Sequence, residues 1–199
     1  MTTVLYVLGA PGVGKTALCR SMLGLNPDGT VRGINHVRLH PKPKWTEVLT
    51  TEEHLCAAGH YTGKPFDGGD TVPYTGASEA LGYWVKHLMV PCGLTILDGD
   101  RFSTSPSLAF LQTHRPLLTR QVQVLGVHLV ASPETLAARR AQRRDVTGAI
   151  QNETWVKGRV TKARNFAQRI NALELDANEP AVAMHLRVSR FLEKLKGVT

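Results

Sequence analysis

Largely apolar runs alternate with helical segments along this chain. Three runs, Thr3–Leu8, Leu94–Leu97 and Val122–Val130, are rich in β-branched and aliphatic residues, which indicates strands buried on both faces of a sheet. Helical segments are predicted at about 15–23, 77–88, 153–171 and 180–195. Strands and helices that alternate in this order predict a three-layer α/β fold, a parallel sheet with helices on both faces.

The segments between these elements carry weaker signals. Residues 31–49 look extended, and a short helix is predicted from Thr51 to Ala58. The Gly-rich polar stretch Gly59–Asp70 is predicted to be a long loop, and loops of that length in compact domains are usually functional. Ser132 followed by Pro133 predicts the N-cap and the first residue of another helix.

Length and composition exclude several classes of protein. With 199 residues, of which 42% are hydrophobic and 20% charged, the chain has the size and balance of one globular domain. Its three cysteines are far apart and its eight histidines are scattered, so neither a disulfide scaffold nor a zinc site is expected. No run is apolar over the ~20 residues of a bilayer crossing, and no secretory leader is apparent, so we expect a cytoplasmic protein without membrane partners.

The net charge indicates which kinds of binding partner to expect. Lysine and arginine number 24 against 16 acidic residues, a net charge of +8, which favours binding to nucleotide phosphates or to a nucleic acid. Between His36 and Trp45 basic residues mix with an aromatic one, as in a groove for single strands. A proline-rich turn with incidental lysines is the alternative interpretation of that stretch.

One motif carries specific chemistry. Gly9–Thr16 matches G-x-x-x-x-G-K-[ST] between a predicted strand and a predicted helix, which is the arrangement of a P-loop. Its glycines allow backbone amides to surround phosphates, Lys15 supplies charge for the β- and γ-phosphates, and the Thr16 hydroxyl can ligate Mg²⁺. The motif therefore predicts ATP and Mg²⁺ as cofactors. The candidate nucleotide-binding residues are Gly9, Pro11, Gly12, Val13, Gly14, Lys15, Thr16 and Ala17.

A carboxylate follows a neighbouring strand. Leu94–Leu97 ends in Asp98, at the edge where α/β sheets place their ligands, so Asp98 is the candidate Walker B acid that holds Mg²⁺ with Thr16. Asp100 and Arg101 lie just beyond it, where an acceptor would sit. A strand that simply ends in a polar Asp-Gly turn is the alternative.

Four arginines form the second basic feature, Arg139, Arg140, Arg143 and Arg144. On a helix they share one broad face, and such clustered charge suits an anion opposite it. Arg139 is a candidate for binding the nucleotide, and the other three are candidates for balancing charge on the migrating phosphoryl group. We expect them in a lid over about 139–159, with a solvated basic face as the alternative.

Together, Gly9–Thr16, Leu97–Arg101 and the paired arginines resemble the P-loop kinase family that includes adenylate and nucleoside kinases. Adenylate kinases carry Leu-Asp-Gly-Phe-Pro-Arg where this chain has Asp100 and Arg101 after Gly99, a departure that argues against AMP as acceptor.

A closer similarity is to phage 5-hydroxymethyluracil DNA kinases, through Asp67–Thr71, Trp155–Arg159 and Thr161–Lys162. The resemblance implies ATP-dependent phosphorylation of a hydroxymethyl group on a modified pyrimidine in DNA, and a host-cytoplasmic location if the protein is phage-encoded.

These observations predict one P-loop kinase domain over residues 1–199, with an acceptor-side insertion at about 40–75. One of Asp70, Asp98 and Asp100 is expected to orient or deprotonate the acceptor hydroxyl, and Asp67 is a further candidate beside Asp70. A small-molecule nucleoside or nucleotide kinase, and a P-loop ATPase acting as a switch, are two rival interpretations. Three residues of the penultimate helix are expected in the core, Trp155, Phe166 and Ile170.

Overall fold

The computed structural model describes residues 2–33, 35–50, 53–64, 66–113, 122–148 and 150–196. Its strands, in chain order, are β1 Thr2–Gly9, β2 His36–Pro41, β3 Lys44–Leu49, β4 His54–Ala58, β5 Leu94–Asp98, β6 Val122–Val130 and β7 Leu173–Asp176. They form a seven-stranded sheet in the order β2-β3-β4-β5-β1-β6-β7. The helices are α1 Lys15–Met22, α2 Ala77–Tyr83, α3 Ser105–Thr113, α4 Pro133–Thr147, α5 Glu153–Arg169 and α6 Ala181–Lys196.

The central strand β1 organises the core. It pairs in parallel with β5 and with β6, and all eight of its residues are buried. Successive side chains of a strand point to opposite faces. Tyr6 accordingly packs in the cluster that contains Trp84 and Phe166, whereas Val7 packs in the cluster that contains Leu18 and Val188. Helices therefore cover both faces of the sheet.

The prediction of a fully parallel sheet is wrong for one side of it. β4, β5, β1, β6 and β7 run parallel to one another, but β3 pairs antiparallel with both β2 and β4. The predicted helix from Thr51 to Ala58 is also wrong, because His54–Ala58 is strand β4; Thr51 and Glu52 lie outside the described residues. β4 is hydrogen-bonded on both sides, so long-range pairing outweighs the local compatibility of Leu-Cys-Ala-Ala with a helix.

Several local predictions are confirmed. β6 spans Val122–Val130 as expected, and the Ser132 hydroxyl accepts a hydrogen bond of 3.2 Å from the Thr135 amide at the start of α4. The helix predicted at 77–88 is α2 followed by one π-helical turn, Trp84–Leu88. Helix α3 was not predicted from the sequence pattern. None of the helices in the described ranges combines the length and apolarity that a membrane crossing requires.

Candidate functional site

The parallel strands β1 and β5 end side by side, and the loop between β1 and α1 lies at this edge. Gly9 has a φ of +142°, and a Cβ atom placed on it would lie 2.6 Å from the Leu129 carbonyl oxygen of the adjacent strand β6. Only glycine fits both conditions. α1 begins directly at Lys15, so its free amides open toward the loop.

Lys15 is held inside the loop that precedes it. Its Nζ donates hydrogen bonds of 3.1 Å to the Gly9 carbonyl and 3.0 Å to the Ala10 carbonyl. Burial lowers the pKa of Lys15, while the carboxylates of Asp98 and Asp70 act in the opposite direction. The ammonium group is therefore fixed at the mouth of the loop by backbone oxygens and faces two acids.

Asp98 lies at the end of β5, next to the first turn of α1. The Thr16 hydroxyl donates a hydrogen bond of 3.1 Å to Asp98 Oδ2, and the Tyr61 hydroxyl donates a longer one of 3.4 Å. Asp98 is only 3% exposed, and burial raises its pKa although Lys15 opposes the shift. A buried carboxylate beside a hydroxyl offers the oxygen donors that Mg²⁺ prefers, so the donor set fits this ion.

The Gly-rich stretch Gly59–Asp70 packs directly onto Asp98. A Cβ atom on Gly69 would overlap the Asp98 carbonyl oxygen, and one on Gly68 would lie 2.8 Å from Asp98 Oδ2. Asp67 is buried and accepts hydrogen bonds of 2.7 Å from both the Arg20 side chain and the Thr62 amide. The Asp67 carboxylate thus organises this loop, whereas Asp70 faces the open space beyond it.

A cavity of about 820 Å³, called here the main cavity, extends from the Gly9–Thr16 loop past Asp98 to the first turns of α5. Asp70 and Asp100 stand on its far side. Asp70 is 44% exposed and forms ion pairs of 2.6 Å with Arg101 and 3.6 Å with Arg143. Asp100 forms an ion pair with Arg159 and accepts a hydrogen bond of 3.1 Å from the Tyr74 hydroxyl.

Aromatic rings and cations alternate on this far side. Arg101 stacks 4.5 Å from the centre of the Tyr74 ring, and Arg159 lies 5.1 Å from the Trp155 ring and 5.2 Å from that of Tyr74. Lys162 donates a hydrogen bond of 2.8 Å to the Asp100 carbonyl. Because cations stack favourably on aromatic faces, the two arginines and the two rings hold one another in place.

The expectation that three residues of the penultimate helix lie in the core is confirmed for two of them and wrong for the third. Phe166 is buried and Ile170 packs against the same core cluster, as predicted, but Trp155 is 43% exposed and lines the main cavity. The spacing of Trp155, Arg159 and Lys162 at i, i+4 and i+7 places all three on one helix face. The sequence similarity through Trp155–Arg159 and Thr161–Lys162 singled out these residues, but only the helical spacing indicates that they share one face at the main cavity.

The four arginines of α4 divide between two spaces. Arg139 donates a hydrogen bond of 2.8 Å to the Val13 carbonyl, and Arg143 stacks 4.4 Å from the Phe66 ring beside Asp70; both line the main cavity. Arg140 and Arg144 line a neighbouring cavity of about 660 Å³, called here the side cavity, and Arg143 stands between the two because it lines both. Helical geometry explains the split, because adjacent residues are rotated by about 100°.

The basic stretch between His36 and Trp45 forms the β2–β3 hairpin. Trp45 is completely buried in the core and His40 is bound to Glu47 at 2.9 Å. The interpretation of this stretch as a stacking groove for single strands is therefore wrong, since its aromatic ring is inaccessible.

The fold, with the Gly9–Thr16 loop at this edge of the sheet, is similar to that of a solved kinase. Among the solved structures, a gluconokinase from Sinorhizobium meliloti 1021 superposes with a TM-score of 0.50 at 14% identity, covering 99% of this chain and 97% of that chain. At this identity the likeness shows the fold alone. No protein-family model and no curated protein sequence matches the chain. The similarity to phage 5-hydroxymethyluracil DNA kinases thus receives no support from the comparisons.

Proposed function

We propose that this protein is an ATP- and Mg²⁺-dependent kinase that transfers the γ-phosphoryl group to a hydroxyl of a small molecule with an acidic group. One observation carries the proposal: Lys15, Thr16 and Asp98 meet at one end of a cavity whose other end is lined by acids and arginines. The gluconokinase likeness, at the level of the fold, favours a small-molecule kinase over a DNA kinase and over an ATPase switch.

The nucleotide half uses the loop Gly9–Thr16. Its amides and the start of α1 would bind the phosphates, and Lys15 would leave the Gly9 and Ala10 carbonyls for the β- and γ-phosphate oxygens. Arg139 and Arg143, which already line the main cavity, would add positive charge around the transferred group.

Thr16 and Asp98 would hold the magnesium ion through their oxygens. When bound, Mg²⁺ would neutralise negative charge that develops on the phosphates during transfer. The raised pKa of Asp98 reflects burial that its hydrogen bonds and the charge of Lys15 do not offset, and a cation would relieve that penalty.

The acceptor half lies across the main cavity. Asp98 is assigned to the metal, and both remaining acids are ion-paired with arginines. Asp70 is the more exposed of the two, at 44% against 23% for Asp100, and its charge acts on Lys15, so it is the carboxylate best placed to orient or deprotonate the acceptor hydroxyl. Seven of the cavity's described lining residues are cationic and three acidic. The excess on the Arg101 and Arg159 side favours an acceptor with a carboxylate or phosphate.

The segment at about 139–159 is proposed to close as a lid over both substrates, which would exclude water and limit hydrolysis of ATP. It joins the second half of α4 to the first turns of α5, so both the phosphate-side arginines and Trp155 would move with it. Arg140 and Arg144 would help to neutralise charge on the transferred phosphoryl group only if this closure turns them from the side cavity toward the main cavity.

DNA with a modified pyrimidine is the second candidate acceptor. Exposed Tyr74 and Trp155 at the main cavity, together with the net charge of +8, favour it because such rings can stack on a base.

A transfer assay tests the proposal. The protein is incubated with γ-labelled ATP alone, then with sugar acids including gluconate, with nucleosides and nucleoside monophosphates, and with DNA containing 5-hydroxymethyluracil. We expect label on one anionic small molecule, absent with Lys15→Ala and retained with Lys86→Ala, which changes an exposed lysine on the π-helical turn. Label on DNA would select the second acceptor, and rapid acceptor-independent hydrolysis would contradict a kinase.

A further inference from the structure

A second cluster of reactive side chains lies at the opposite end of β5. Glu47, His54 and Cys92 each offer a donor atom, and these carboxylate, imidazole and thiol atoms all lie within 4.8 Å of one another. On a tetrahedral zinc ion such donors stand about 3.3–3.8 Å apart, from bond lengths of about 2.0–2.3 Å. Small side-chain rotations would therefore bring the three atoms to coordinating distance.

The sheet itself assembles this cluster. Glu47 on β3 stands opposite Cys56 on β4, and His54 lies two residues before Cys56, so all three side chains share one face of the sheet. Cys92 arrives in the segment before β5, where the next residue, Gly93, donates a 2.9 Å hydrogen bond from its amide to the His54 carbonyl. The donors thus come from three chain segments, which no local spacing in the sequence could reveal.

We propose that Glu47, His54, Cys92 and Cys56 bind one zinc ion. A mixture of thiol, imidazole and carboxylate donors is typical of zinc and unsuited to Mg²⁺, which prefers oxygen donors alone. Cys56 is the proposed fourth ligand, because it stands opposite Glu47 on the same face of the sheet; its thiol lies 3.2 Å from the Thr95 hydroxyl and would turn from it to reach the ion. On binding, both thiols become thiolates and two protons leave for solvent.

The surroundings of the cluster fit a metal centre. His40 Nε2 lies 2.9 Å from Glu47 Oε2, and the Tyr83 hydroxyl lies 3.0 Å from His40 Nδ1, so an outer chain of hydrogen bonds orients the carboxylate. His54 Nε2 lies 2.7 Å from Glu47 Oε1, so these two donor atoms are already side by side. An ion would replace this hydrogen bond, and the imidazole proton would then reside on Nδ1. The side chain of His54 is 23% exposed and that of Glu47 9%, so an ion can enter past the imidazole.

Without a metal, the same contacts would amount to a buried carboxylate shared by two histidines beside two thiols. That arrangement satisfies Glu47 on its own, so the hydrogen bonds by themselves do not require an ion. The Cys92 thiol distinguishes the two cases, because it lies within 4.8 Å of both the carboxylate and the imidazole donor atoms, and a hydrogen-bonded pair of histidines has no need of it.

The proposed ion would stabilise the fold and take no part in phosphoryl transfer. Cys92 precedes Asp98 by six residues of mostly extended chain, about 20 Å at the usual rise per residue. The zinc ion would instead join β3, β4 and the segment that enters β5. The zinc proposal does not depend on the proposed kinase activity, and each can be disproved without affecting the other.

Metal analysis of the tag-free protein tests the inference. Protein from zinc-supplemented cultures is passed through a desalting column and its metals are measured by mass spectrometry. We expect about one zinc per chain in the wild type and in Cys19→Ala, which removes a buried thiol elsewhere, and less than about a tenth in Cys92→Ala. A folded wild type with under a tenth of an equivalent, or zinc retained by Cys92→Ala, would overturn the proposal.

A cobalt titration decides the matter if Cys92→Ala does not fold. The wild-type protein is stripped with chelator, its fold is checked by circular dichroism, and Co²⁺ is added. We expect a thiolate-to-cobalt band in the near ultraviolet that saturates at one equivalent, persists in His36→Ala and is lost in His54→Ala. His36 is an exposed histidine on β2, so it controls for removal of an imidazole. No thiolate band from folded wild-type protein would reject the site.

Discussion

Thr16 and Asp98 are joined by a 3.1 Å hydrogen bond, although 82 residues separate them in the chain. The bond links the first turn of α1 to the last residue of β5, and so connects the phosphate-binding motif to the strand-end acid. Since β1 and β5 are adjacent parallel strands, this pairing follows directly from the strand order.

Asp98→Asn is expected to lower phosphoryl transfer by at least about 100-fold, because a neutral amide cannot replace a charged metal ligand. The same variant should unfold at a higher temperature than the wild type in metal-free buffer at neutral pH. Burial raises the pKa of Asp98 above its value in the unfolded chain. The folded protein therefore holds the proton to higher pH, and ionisation costs it stability as pH rises.

Thermal unfolding of the wild type and of Asp98→Asn tests the predicted direction of this pH dependence. The difference in Tm between Asp98→Asn and the wild type should be small below about pH 4, the ordinary range for a carboxyl group, and should grow as the pH rises through the elevated pKa. A variant less stable than the wild type at every pH would contradict the account of a carboxylate whose burial is not offset by its hydrogen bonds and the charge of Lys15.

Arg143→Ala should reduce kcat more than Arg144→Ala does. Arg143 lines the main cavity beside Asp70, so its loss removes charge near the transferred group and should cost about 100-fold. Arg144 is largely exposed and pairs only loosely with Asp145 at 3.7 Å, so its loss should cost less than about fivefold. Steady-state kinetics measure both, and equal effects would show that the two arginines act together in a closed lid.

Arg159→Ala should weaken binding of the acceptor and leave binding of the nucleotide unchanged. If Arg159 leaves Asp100 to bind an acidic group of the acceptor, its removal should raise the acceptor KM about 10–100-fold, the usual value of a charged hydrogen bond. Arg164→Ala, on the exposed side of the same helix, is the matched control. An increased KM for ATP with an unchanged acceptor KM would place Arg159 in the nucleotide half instead.

Gly69→Ala should destabilise the fold by about 1–3 kcal/mol, because the added methyl group would overlap the Asp98 carbonyl oxygen. Gly82→Ala in α2 has open space around it and should be neutral or stabilising by up to about 1 kcal/mol. Denaturant unfolding compares the two variants. Equal stabilities would show that the Gly59–Asp70 loop moves away from Asp98 without cost.

Local signals were enough to predict where the Gly9–Thr16 loop and Asp98 lie in the fold. The apolar runs of β1 and β5 and the Gly9–Thr16 motif each lie within a few adjacent residues, and they correctly located Lys15 and Thr16 at a strand-to-helix turn beside Asp98. Ser132 was likewise recognisable as a helix cap from its own sequence neighbours.

Features that depend on distant contacts were missed. His54–Ala58 forms a strand because it pairs with β3 and β5. Trp155 lies outside the core because the start of α5 faces the main cavity. The placement of Arg139 and Arg143 at the main cavity depends on how α4 is rotated against the loop, which helical spacing alone does not specify.

Isothermal titration calorimetry with MgATP tests the central claim most directly. We predict one binding site per chain for a nucleoside triphosphate, weakened at least about tenfold in Lys15→Ala through loss of a charged contact to the phosphates, and weakened again when EDTA removes Mg²⁺. Folded wild-type protein that gives no binding heat with MgATP or MgGTP over a range of temperatures would contradict the claim that the Gly9–Thr16 loop binds a triphosphate.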